Sequence, residues 1–126
     1  MAGLPNRTWQ SVTLDIDKTA EYSGQDIDRT SDLCDLTHDC SGVLVFVPTI
    51  DSGTISLLVQ RDSTITTVPV ALHYRQTSDN ATALQATTSS AGGYVFHFQL
   101  DGIRYFRIYS SVNQTADRTY YVRGTV

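Results

Sequence analysis

Along most of this chain apolar and polar residues alternate with a period of two, the signature of strands with one face buried. SVTLDID (Ser11 to Asp17) places Val12, Leu14 and Ile16 on one side. GVLVFVP (Gly42 to Pro48) is a continuous β-branched and aromatic run closed by proline, which predicts a strand covered on both faces. TISLLVQRD follows after IDSG, with Ile55, Leu57 and Val59 aligned, so the two runs are expected to be antiparallel neighbours. TITTVPVALHYRQ is again strand-like, and Pro69 points to a sheet edge or a bulge. In YVFHFQLDG, Tyr94, Phe96, Phe98 and Leu100 share one face, and Asp101-Gly102 suggests a tight hairpin into IRYFRIYSS. RTYYVRGTV is the last predicted strand.

No window carries apolar residues at helical spacing. KTAEYSGQDIDRTS reads as a long polar loop, TSDNATA as a turn-rich link and VNQTAD as another. Many short strands between Gly, Asp, Asn and Ser predict an all-β chain, a single antiparallel β-sandwich or jelly roll over residues 1–126. A partly extended N-terminal arm is expected at about residues 1–10.

Composition narrows the function. The chain has 126 residues, 40% of them hydrophobic and 17% charged, enough for a core without staples. Its net charge is -4 and Lys18 is its one lysine, a balance that argues against a nucleic-acid partner. MAGLPNRTWQ has no apolar leader region and no run has the length of a membrane span, so a soluble cytosolic product and no membrane partner are expected. On that footing the sequons at Asn6, Asn80 and Asn113 are coincidental.

Candidate chemistry is sparse. DLCDLTHDC (Asp32 to Cys40) gathers both cysteines, His38 and three aspartates, but zinc sites favour two close pairs of ligands, and His73 and His97 stand alone in separate strands. No metal and no cofactor are expected. Cys34 and Leu36 should face inward and Asp35 outward, with the cysteines packed as reduced thiols; a Cys34 to Cys40 disulfide is the alternative. Asp15, Asp17, Asp26 and Asp28 bracket the first loop, yet an EF-hand needs Gly where Ala20 stands. A nucleophile elbow, a phosphate loop and a zincin helix are all missing, so no catalytic residue is assigned.

One feature resembles an interface. Tyr105, Arg107 and Tyr109 fall on one face of IRYFRIY, a composition enriched in binding hot spots, although cation-π stacking within the domain would equally explain the row. Trp9 on the arm and Tyr22 in the long loop are further candidate partner-binding residues. An aromatic row on a β-sandwich also suits sugar stacking.

Ser31, Asp35-Leu36, Pro48, Val59 with Asp62, Gly102 to Ile108 and the turn NQTADRT (Asn113 to Thr119) together resemble a family of small bacteriophage proteins encoded among virion structural genes. The resemblance covers roughly the C-terminal three quarters; TSDNATALQATTSSAGG departs from it as a longer link. It implies a non-enzymatic β-sandwich virion component, made in the host cytoplasm and present in multiple copies or as a homo-oligomer. Capsid decoration or cement, bound to the major capsid protein, is the first expectation. A neck, collar or tail accessory protein is the second, and a carbohydrate-binding adhesion module the third.

Overall fold

The structure, a computed structural model, describes residues 8–75 and 82–126. Most of the expected N-terminal arm, and most of the link TSDNATA, lie outside these residues. The described chain is all-β, with ten strands: β1 (Gln10–Leu14), β2 (Cys34–Asp35), β3 (Gly42–Val47), β4 (Ile55–Gln60), β5 (Val70–Ala71), β6 (His73–Arg75), β7 (Thr82–Leu84), β8 (Tyr94–Gln99), β9 (Tyr105–Ser110) and β10 (Arg118–Thr125). Sheet I has the order β1-β10-β3-β8, sheet II the order β2-β9-β4-β5, and β6 pairs with β7 alone. Every pairing is antiparallel, as is common in sandwiches.

Alternation decides which side chains enter the core. Val12 and Leu14 of β1, Val43, Val45 and Val47 of β3, and Tyr120 and Val122 of β10 point inward from sheet I. Ile55, Leu57 and Val59 of β4 meet them from sheet II with Phe106 and Ile108 of β9. Each such side chain contributes about 1.5 to 3 kcal/mol when removed from water. Phe98 also enters the core, and its ring meets Phe96 edge-on at 4.7 Å.

The faces follow the period, but the partners differ from the sequence expectation. β3 and β4 are not neighbours: β3 pairs with β10 and β8, and β4 with β9 and β5, in the opposite sheet. Likewise Asp101-Gly102 does not close a hairpin. It is an arch with positive φ at both residues (51° and 97°), carrying the chain from β8 in sheet I to β9 in sheet II. The backbone N–H groups of Leu100 and Asp101 donate to Ser41 O and that of Gly102 to Cys40 O, so the arch is fixed to the start of β3. β3 is also not covered on both faces, since Phe46 is 40% exposed.

TITTVPVALHYRQ yields only β5 and β6. Upstream, Asp62 Oδ1 accepts from Thr64 N and Thr67 Oγ1, and Gln60 Nε2 donates to Asp62 O and Thr64 O. These side chains give the backbone an alternative to a ladder, so the segment loops. Pro69 sits just before β5, an edge strand, where a missing N–H does no harm.

Gly92 is fixed by both backbone and space. Gly92 has φ +103°, and a Cβ there would lie 2.7 Å from Pro48 O. Gly92→Ala is therefore expected to destabilise the fold by about 2 kcal/mol, read as a lower urea midpoint at unchanged slope. An unchanged midpoint would contradict this placement.

Candidate interaction site

The Tyr105, Arg107, Tyr109 row does lie on one face of β9, the outer face of sheet II, but it is not open. Arg107 is wholly buried. Its Nη1 donates to Glu21 Oε1 at 2.7 Å and to Ser31 O at 3.4 Å, its Nη2 to Ile65 O at 3.1 Å, and its Cζ stacks 5.1 Å from the centre of the Tyr22 ring. The polar loop from Lys18 to Thr30 therefore folds across sheet II as a strap. Its far end is fastened through backbone: Ser110 N donates to Arg29 O, Gln114 N to Asp28 O, and Thr30 bridges Tyr109. Tyr109 Oη donates to Asp26 Oδ2 at 3.3 Å, and Tyr105 lies under the Arg104 guanidinium at 5.1 Å. Arg107 and Tyr22, expected as partner anchors, are spent on each other within the domain.

The open face belongs to sheet I. Its outward positions bring Trp9, Phe46, Tyr121 and Val95 together, each 40% to 48% exposed. Register places Tyr121 beside Phe46 and Phe46 beside Val95. The rings meet edge to face: Trp9 to Phe46 at 6.4 Å and 80°, Phe46 to Tyr121 at 6.3 Å and 75°. Such exposures leave about 300 Å² of apolar surface in one patch, within the range where a monomer's largest patch is often functional. The chain has 13 Asp and Glu residues; none stands in β1, β3, β8 or β10 and only Asp35 in the strands of sheet II, whose outer layer gains Glu21, Asp26 and Asp28 from the strap. Trp9 was legible as a candidate; Phe46 and Tyr121 were not, because only register places them beside it.

The remaining candidates serve the scaffold or stay apart. Cys34 and Cys40 are buried thiols rather than a disulfide. Cys34 and Leu36 face inward as expected and Asp35 outward, held by a two-pronged ion pair from Arg104 at 2.7 and 3.2 Å that keeps its carboxyl below the usual range. Thr37 has φ 67°, which turns the chain and leaves His38 exposed. The NQTADRT turn is a fastener. Gln114 is buried, donating to Ser110 Oγ and accepting from Asp51 N, while Arg118 Nη2 binds Asp51 Oδ1 at 3.0 Å. Asp117 Oδ1 accepts from Ile16 N, so this turn brings a third carboxylate within 4.8 Å of Asp15 and Asp17, rather than Asp26 or Asp28 doing so. No described helix is long and apolar enough to cross a membrane.

Comparison with protein-family models, with curated proteins and with solved structures finds no match.

Two outcomes follow from the buried groups. Removing one partner of a buried ion pair strands the other, so Glu21→Gln should destabilise by about 2 kcal/mol, a value discounted for the partial exposure of Glu21. It should also open the strap to proteases near Tyr22; a loss below about 0.5 kcal/mol would reject the clamp. Burial also pushes the Cys34 thiol from its ordinary 9.0 up to about 12, against a hydrogen bond from Gln10 Nε2 that lowers it. The folded chain then holds a proton that the unfolded chain releases above pH 9. Stability is intact below that pH and falls towards pH 12 by up to about 1.4 kcal/mol per unit. Tyr120, also raised by burial, adds its loss from about pH 10. Cys34→Ala should postpone the onset of the alkaline fall in melting temperature; an identical profile would contradict the assignment.

Proposed function

We propose that this protein is a non-enzymatic structural component of a bacteriophage particle, a decoration or cement protein that docks on the capsid through the outer face of sheet I. The exposed aromatic patch of Trp9, Phe46, Val95 and Tyr121 carries the reading. A carboxylate-free apolar face on an acidic chain is suited to burial against protein, with desolvated aromatic anchors at its centre.

The strand pairing supports the same reading by analogy. With the β6–β7 hairpin set aside, β1 pairs with β10, β2 with β9, β3 with β8 and β4 with β5. The first half of the chain thus pairs with the second half in reverse order, as a long hairpin rolled into two sheets would. That favours a jelly roll, an architecture frequent in viral capsid and lectin domains. The resemblance to small virion proteins points the same way.

Ring geometry favours a protein partner over a sugar. An extended glycan stacks best along rings lying in one plane, whereas these neighbours stand at 75° and 80° to each other. A neck, collar or tail position remains the second reading, separated from decoration by copy number: hundreds per particle for decoration, small multiples of the tail symmetry otherwise. A subunit that spans two neighbouring sites of a symmetric lattice would gain by multivalency.

Trp9→Ala with Tyr121→Ala is expected to leave the domain folded, because both side chains are already about two fifths exposed. Attachment to purified particles should weaken about 30-fold or more, the equivalent of a 2 kcal/mol anchor. Wild-type occupancy by the folded double variant would reject the face, and absence of the protein from particles would reject the virion assignment.

A further inference from the structure

β8 stands at the end of sheet I, and its outer edge has an unusual distribution of backbone partners. Successive residues of a strand aim their N–H and C=O groups to opposite sides. Leu100 N donates towards β3, at Ser41 O. Gln99 is turned outward, and there the side chain of Gln85 imitates a neighbouring strand: its Oε1 accepts from Gln99 N at 2.8 Å and its Nε2 donates to Gln99 O at 2.9 Å. By alternation His97 and Val95 also direct their backbone groups outward, and among the described residues no strand pairs with them there.

This edge lacks the usual protections. YVFHFQ contains no charge and no proline, and β8 pairs with β3 in continuous register without a bulge. Beside it lies a hollow of about 320 Å³ lined by Gln85, Ala86, Phe96, His97 and Gln99, so among the described residues the space next to the strand is open.

We propose that two copies of this chain pair antiparallel through β8, about a two-fold axis at Phe96. Val95 then exchanges two backbone hydrogen bonds with the partner's His97, and His97 exchanges two with the partner's Val95. Phe96 meets the partner's Phe96 across the axis over the hollow. The Gln85 side chain blocks Gln99, so the register cannot slide in that direction. A second copy fits better than a flexible peptide because the edge offers only these four hydrogen bonds. A peptide would lose its backbone freedom for them, whereas a second β8 is already ordered. The charge pattern permits it too, since sheet I brings no carboxylates to the seam although each chain carries a net charge of -4. The product is one eight-stranded sheet, β1-β10-β3-β8 continued by its two-fold copy, with the two aromatic faces on the same side. This pairing does not depend on the capsid assignment.

Sedimentation equilibrium of the full chain from micromolar to near-millimolar concentration should show the mass rising from 13.9 kDa to twice that value. In the dimer range the amides of Val95 and His97 should become protected from hydrogen exchange. His97→Pro removes an outward N–H without touching the ladder to β3, and Val95→Lys puts a charge at the seam while keeping every backbone group. Each should weaken association about tenfold or more with an unchanged circular dichroism spectrum, while Tyr121→Ala should leave association alone. If His97→Pro misfolds, Val95→Lys still decides. A single-chain mass throughout, or a dimer indifferent to the folded variants, would overturn the proposal.

Discussion

A guanidinium with no exposure to water organises this molecule. Arg107 sits in the middle of β9, with Phe106 and Ile108 on either side committed to the core, so alternation forces it onto the outer face of sheet II. An uncovered arginine there would need nothing further; a covered one needs a carboxylate and carbonyl acceptors, which the strap and the loop after β4 supply through Glu21, Ser31 and Ile65. The pair is weak evidence for net stability, because dehydrating two charges offsets most of their attraction. Its effect is on arrangement: the polar segment that could have reached outward is folded onto its own domain, and the middle of sheet II around Arg107 is covered.

With the middle of sheet II covered, sheet I presents the open aromatic face. Sheet I holds no carboxylate, while acidic residues gather in the strap and in the loops at 15–17 and 117. The chain therefore has an exposed aromatic face and carries its acids mainly in loops around it. That division suits a protein seated on a larger surface, with apolar contact beneath and solubility above. It also explains why a hydrophobic β8 edge coexists with an acidic chain.

The period-2 pattern made the strand faces legible: Val12 with Leu14, Ile55 with Leu57 and Val59, and the inward turn of Cys34 and Leu36 all fall where alternation puts them. Strand partners were not legible, because alternation fixes which side of a strand is buried and says nothing of which edge pairs with which. Hence β3 with β4, and β8 with β9, look like hairpins in sequence yet cross between sheets. The candidate site divided for the same reason. Trp9 stood out by type alone, but its neighbours Phe46 and Tyr121 are 37 and 112 positions away. Of the Tyr105, Arg107, Tyr109 row, the shared face was legible but the burial of Arg107 was not, since cover by a loop without period leaves no trace in the strand itself.

Hydroxyl-radical footprinting of the protein, free and attached to purified particles, tests the division of faces most directly. Trp9, Phe46 and Tyr121 should react in the free protein and lose reactivity on the particle, while Tyr22 and Tyr105 change little. Protection of Tyr22 and Tyr105 with Trp9 and Tyr121 still reactive would contradict it, and would place the contact on the strap instead.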